Sequence, residues 1–380
     1  MTSPTANVSD LPASHPLVDG RTTTSALVTA LRGGEPSRTP VWFMRQAGRS
    51  LPEYRQVRQG VGMIESCLMP ELASEITLQP VRRHGVDAAI FFSDIVVPLR
   101  LAGVGVDIKA GVGPVMDRPY RTAADVDELV SRELDDAALA PIREAVQRTV
   151  AELSPAGAGA GTPLIGFGGA PFTLAAYLVE GRPSRDHLAA RTLMHADPET
   201  WQRLTSWTAD LTGRFLHAQV LAGASAVQLF DSWAGSLSLA DYTSHVAPSS
   251  ARALRHVAGL RADDDGAGVP GIHFGTGTGH LLEALRDVLT GAGVTHPTVG
   301  IDYRTPLDEA STLLGDGVSV QGNIDPALLG APWEVLAAHV RDVVARGRRA
   351  PGHVVNLGHG VPPETDPTVL TRVVELVHSL

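Results

Sequence analysis

Eight short apolar, β-rich runs punctuate the chain, and longer stretches with helical character separate them. The runs are PVWFM from Pro40, AAIFFSD from Ala88, PLIGFGG from Pro163, AVQLFDS from Ala226, GIHFGT from Gly271, TVGIDY from Thr298, VSVQGNI from Val318 and HVVNLGH from His353. Strand-then-helix repetition of this kind builds a parallel sheet. Amphipathic stretches such as TWQRLTSWTADLTGRFLHAQVLAG, ahead of the fourth run, and HLLEALRDVLTGAG, after the fifth, supply the crossovers. Eight units predict one α/β domain over residues 23–380, a (β/α)8 TIM-type barrel with its active site at the C-terminal ends of the strands. An open doubly wound sheet is the competing arrangement. The main irregularity lies between runs two and three, where GVGVDIKAGVGPVMDRPY reads as an inserted hairpin. Residues 1–22, rich in Ser, Thr, Pro and Ala without sustained periodicity, read as a flexible N-terminal tail. PAGAGAGTP at 155–163 and RADDDGAGVPG at 261–271 read as loops, not domain boundaries, because the same alternation continues across both.

Composition narrows what such a chain does. With 43% apolar residues in 380, it can bury a large core. The N-terminus lacks a basic and an apolar signal region, and no run of about 18 uninterrupted apolar residues occurs, so no membrane partner is expected. A single cysteine, Cys67, rules out an internal disulfide and any metal site built from several thiolates, which fits a reducing cytosol. A formal net charge of -10 argues against nucleic acid, whose binding is driven by Lys and Arg neutralising phosphates. An anionic small molecule remains open to it, provided that basic groups gather in one cleft.

Polar residues that end an apolar run are therefore the ones to inspect. The first run ends in Arg45, Gln46, Ala47, Gly48 and Arg49, two guanidinium forks four residues apart that face one way if the turn is helical. Arginine suits bidentate capture of carboxylates; the alternative is two surface arginines paired to Glu53 or Glu65. Asp94 follows the strongly apolar IFF, so its carboxylate emerges from the core and must face a cation, a donor array or a ligand. Tyr177 lies in the helix that Pro171 opens, where it is either a ligand contact or a packed aromatic with a wet hydroxyl. The fourth run ends in Asp231 and Ser232 and the eighth in Asn356 and His359, groups that bind carboxylates or satisfy loop backbone. GTGTGH from Gly275 lacks both the spacing and the lysine of a phosphate loop.

Two segments, PVWFMRQAGRSLPEYR and GFGGAPFTLAAYLVEG, resemble the signature segments of the uroporphyrinogen decarboxylase family. IFFSDI, VQLFDSWAG, VQGNIDP and VNLGHGVPPETDP resemble further family segments in the same order, across about residues 38 to 370. Ser50 departs from the pattern, standing where many members carry an aromatic residue. The resemblance implies a cytoplasmic, cofactor-free homodimer of haem biosynthesis. Its substrate would be uroporphyrinogen III, whose four acetate side chains become methyl groups, giving coproporphyrinogen III and four CO2. It further implies that Arg45 and Arg49 bind substrate carboxylates, with Gln46, Ala47 and Gly48 completing their loop. Asp94 would receive the pyrrole N–H groups beside Tyr177, while Ser232 and His359 contact substrate side chains. Arg45, or water held by it, is the expected proton donor, and no metal is implied.

Three other readings stand beside this one. Zinc-dependent corrinoid methyltransferases share the barrel, but their metal sites need thiolates, and the chain offers Cys67 alone with no His-x-Cys pattern. A metallohydrolase would draw on His273, Asp302 and His359. A tetrapyrrole-binding protein without activity would keep the pocket and lose the reaction.

Overall fold

The computed structural model describes residues 9–154, 161–262 and 267–380. Seven of the eight runs form strands: Ala89–Ile90, Leu164–Gly169, Ala226–Asp231, Gly271–Gly275, Pro297–Gly300, Ser319–Gln321 and His353–Val354. They pair in parallel and in sequence order, from the second run at one edge to the eighth at the other. Leu164–Gly169 is buried at every residue, as expected of a parallel strand with both faces covered.

The sheet curls. Gln321 Nε2 donates to Gln228 Oε1 at 2.9 Å although two strands separate theirs, and flat strands about 4.8 Å apart would hold the pair well out of reach. Trp42 Nε1 donates to Gln321 Oε1 at 3.1 Å, and Gln228 Nε2 reaches Met44 Sδ at 3.6 Å, so the first run lies inside the same curl.

That first run is not a strand but one bridging residue. Val41 pairs in parallel with Val355, and the Asp87 N–H donates to the Val41 carbonyl at 2.8 Å, so Val41 links the residue after strand His353–Val354 to the one two residues ahead of strand Ala89–Ile90. The buried Asp87 carboxylate reinforces the contact. It accepts from the Val41 N–H at 2.8 Å, from Arg38 Nε at 2.8 Å and approaches His378 Nε2 at 2.7 Å, on the C-terminal helix Pro367–His378.

Helices cover the outside of the sheet. The longest, Pro198–Leu221, starts where the Asp197 side chain accepts from Thr200 N–H and Pro198 occupies the first helical position. It buries a stripe including Trp201, Leu204, Leu211, Phe215 and Leu216. Against it packs Pro171–Glu180, buried from Pro171 to Val179, which stops at left-handed Gly181. The expected hairpin is present as Val106–Lys109 antiparallel to Gly113–Met116.

Residues 9–22, expected in a flexible tail, pack against the body of the protein. Ser9–Asp10 pairs in parallel with Leu260–Arg261, while Leu11 and Leu17 join a small apolar cluster with Val220, Val257 and Leu260. His15 is buried with Nε2 3.0 Å from the Val220 carbonyl, and burial pulls its imidazole down to about 4. The segment lacks periodicity because three anchors hold it, not a regular element. Residues 1–8 of that stretch, and the 155–160 and 263–266 portions of the two expected loops, lie outside the described residues.

Asp87→Ala strips the Val41 N–H of its side-chain partner in a buried setting, where an unmet donor costs about 1–3 kcal/mol; the half-exposed Arg38 adds little. Chemical denaturation should therefore show a loss of roughly 2–3 kcal/mol. A loss below about 0.5 kcal/mol, the ordinary range for surface changes, would mean that backbone pairing alone holds the first run.

Candidate active site

Arg45 sits four residues beyond Val41, in irregular turns and not in a helix, with a left-handed backbone at φ 60°. Three contacts lock the turn. Asn356 Oδ1 accepts from the Met44 N–H at 2.9 Å, the Val361 N–H donates to the Met44 carbonyl at 2.9 Å, and Gln46 spans to the second run. Gln46 is fully buried, its Oε1 accepting from Phe43 N–H and its Nε2 donating to the Ala88 carbonyl, both at 3.0 Å. Its amide thus braces the loop and is not turned to the mouth. Asn356 serves the same end, also accepting from Leu357 N–H at 2.8 Å.

The two arginines are exposed, and neither has an ion-pair partner among the described residues. Glu53, one of their expected partners, is instead held by Arg83 at 2.6 and 2.7 Å, and Glu65 lies by the Gly62 N–H at 3.4 Å. The Arg45 stem crosses directly over Gly360, where an added Cβ would lie 2.8 Å from Arg45 Cγ. Ala47 and Gly48 are partly buried beside it. Ser50 is buried, and its hydroxyl has no partner among the described residues.

Asp94 is half-buried just past the second run, its Oδ1 accepting from the Val96 N–H at 3.0 Å. Burial pushes its carboxyl above the ordinary value, while the Val96 N–H and the Arg45 charge pull the other way. No side chain among the described residues donates to it. Tyr177 is buried nearby; burial and then the Asp94 charge push its phenol up, so it stays a neutral donor. Cys67, the one thiol, is buried close enough to feel Asp94 and is likewise pushed up, which leaves it inert. His359 is exposed at the rim; desolvation of part of its ring and the Arg45 charge lower its imidazole, so it is uncharged at neutral pH. The charge on Arg45 thus acts on Asp94, Tyr177 and His359 alike.

Arg49 stands further out, its guanidinium bearing on the Tyr54 phenol. Ser232 is half-buried in the turn after strand Ala226–Asp231, and no protein group holds its hydroxyl among the described residues. Its neighbour Asp231 points inward and is fully buried, accepting from Thr173 Oγ1 at 3.0 Å with His273 Nε2 3.8 Å from its other oxygen.

Sequence reasoning passed over two residues here. Trp233 stacks on Tyr177 with ring centroids 3.9 Å apart and on His187 at 4.3 Å, fixing one wall. Arg304 lies over the Tyr303 ring, pairs with Asp302 at 2.5 Å and contributes to the field at His359. The position of Arg304 directly after the sixth run was the available signal. The metal set His273, Asp302 and His359 does not converge. Asp302 is occupied by Arg304 and the Gly277 N–H, and His273 is sealed in the interior.

Comparison with known proteins accords with this geometry. Residues 22–380 match the family described as Uroporphyrinogen decarboxylase (URO-D). A uroporphyrinogen decarboxylase of Arthrobacter sp. (strain FB24) is 68% identical, covering 96% of this chain and 99% of that protein. One from Leifsonia xyli subsp. xyli (strain CTCB07) is 62% identical over 98% of each. Among solved structures, a methyltransferase from Methanosarcina mazei superposes with a TM-score of 0.72 over 94% of this chain and 98% of its own, at 16% identity, a likeness of fold alone. Matched over nearly its whole length by such relatives, the chain belongs to the uroporphyrinogen decarboxylase family.

Proposed function

We propose that the chain decarboxylates the four acetate side chains of uroporphyrinogen III, releasing four CO2 and giving coproporphyrinogen III in porphyrin biosynthesis. The observation that carries the residue assignment is Asp94, a sheltered carboxylate near Arg45 and Tyr177 that no side chain among the described residues satisfies. In this reading the (β/α)8 barrel closes through Val41 as an eighth, one-residue strand, and residues 23–380 act as a single domain. The protein works in the cytoplasm as a homodimer.

A pyrrole acetate loses CO2 readily once its ring is protonated at carbon, because the cationic ring accepts the electron pair of the breaking bond. A proton then replaces the carboxyl on the side-chain carbon and the ring carbon gives its proton back as the pyrrole is restored, so each cycle consumes one proton overall. The protein's task is to stabilise positive charge at the ring nitrogens, and Asp94 does so. At ~4 Å and an effective dielectric of ~20 the attraction is about 4 kcal/mol, roughly three powers of ten in rate if it develops in the transition state. Burial makes the ionised form costly, and the N–H groups of the substrate relieve that cost.

Arg45 and Arg49 take substrate carboxylates, which the net charge of -10 would otherwise repel. Arg45, or water it holds, delivers the proton. The Ser232 hydroxyl and the neutral His359 ring bind further side chains. Gln46 acts through its bracing amide, while Ala47 and Gly48 shape the loop.

The deciding assay is anaerobic turnover of uroporphyrinogen III, with products oxidised to porphyrins and separated by carboxyl number. Species with seven, six, five and then four carboxyls are expected; binding without this ladder would leave a tetrapyrrole-binding protein and no enzyme. Asp94→Asn should lose most turnover, in kcat more than KM, and near-normal kcat would remove Asp94 from the mechanism. The same variant should melt higher at pH 7. Folding favours the neutral form of Asp94, so its ionisation destabilises as pH rises through the raised folded-state value, and an amide avoids that cost. Below the ordinary carboxylate range the two proteins should converge. Gly360→Ala should leave stability nearly unchanged, because the flexible Arg45 stem can move aside, yet raise KM by displacing the guanidinium. An unchanged KM would show that Arg45 binds nothing from its present position.

A further inference from the structure

Away from the mouth, His195, Asp241 and His245 bring three donor atoms within 4.8 Å of one another. His195 lies in the last turn of helix Leu188–Ala196, and Asp241 and His245 are four residues apart in helix Leu239–His245, hence on one face. We propose that these three side chains bind a divalent transition-metal ion, zinc fitting best, and that the ion clamps the two helices together.

Two imidazoles and one carboxylate form the nitrogen-and-oxygen donor set of zinc and its neighbours; calcium and magnesium prefer oxygen throughout. His195 Nε2 stands 3.4 Å from Asp241 Oδ1. Two donors bound at about 2.1 Å with a tetrahedral angle between them lie about 3.4 Å apart, so this pair already spans one edge of a zinc tetrahedron. His245 completes a face by rotation of its ring, which meets that of His195 edge to face at 5.6 Å. Its backbone is already anchored, since the buried Trp201 donates Nε1–H to the His245 carbonyl at 3.1 Å. Apart from the His195–Asp241 contact itself, none of the three side chains has a hydrogen-bond partner among the described residues. His195 is exposed, which leaves the fourth position to water.

The clamp bears on the pocket. Helix Leu188–Ala196 begins at His187, whose ring stacks on Trp233 and whose Nδ1 lies 3.0 Å from Ser236 Oγ. Helix Leu239–His245 follows the turn that holds Trp233 and Ser236. An ion joining the last turn of the first helix to one face of the second therefore closes a loop of structure whose near ends meet at Trp233, behind Tyr177.

Zinc titration of the full, tag-free chain by calorimetry tests this, with cobalt substitution read by its visible absorption. His195→Ala and His245→Ala should each weaken binding at least tenfold and abolish the tetrahedral cobalt bands, with metal-free melting unchanged. His256→Ala should change neither; that histidine faces Asp210 at 3.5 Å but belongs to no group of three. No saturable binding by the unmodified chain, or binding that both variants retain, would leave only a His195–Asp241 ion pair and overturn the proposal.

Discussion

The pair Val41 and Asp87 joins the first run to the segment that leads into the second. Val41 reaches Val355 on one side, while Asp87 binds both its N–H and its carbonyl on the other. The distance from Arg45 to Asp94 depends on this pair, because Arg45 follows Val41 by four residues and Asp94 follows Asp87 by seven. Side-chain amides then replace the ladder that a longer strand would have supplied. Gln46 and Asn356 pin the Arg45 turn to the second and eighth runs. Precise placement here comes from a few buried polar bonds, each strong because water is excluded.

The pocket is organised around charge held at a cost. Asp94 is sheltered enough to resist ionisation, Tyr177 is kept neutral, and His359 is lowered by desolvation and the Arg45 cation. Two exposed arginines on a protein of net charge -10 also give a local reversal of field.

Much of this was legible in the amino-acid sequence. The runs stood out because parallel strands, buried on both faces, must be apolar almost throughout, and Leu164–Gly169 is the extreme case. Arg45, Asp94, Ser232 and His359 stand at or just past the end of such a run, which is what singled them out as candidates. What stayed hidden were relations between distant segments. Nothing local marks Gln46 as a brace and not a ligand, Trp233 as the partner of Tyr177, or Leu11, His15 and Leu17 as anchors for the N-terminal segment. Each depends on which group folding brings opposite, and one-dimensional patterning carries no such distance.

The chain of side chains from Trp42 through Gln321 and Gln228 to Met44 has a consequence for how the protein evolves and misfolds. Apolar interiors tolerate sliding, because one aliphatic contact resembles another. These amides do not: a strand shifted by one residue would turn its glutamine outward and strand its partner's hydrogen-bonding atoms in the dry interior. The chain thus acts as a proofreading device for register, penalising the compact alternatives more than it rewards the native state. It also ties three remote positions into one heritable unit, so that substitutions at Trp42, Gln228 and Gln321 would be selected together and not singly.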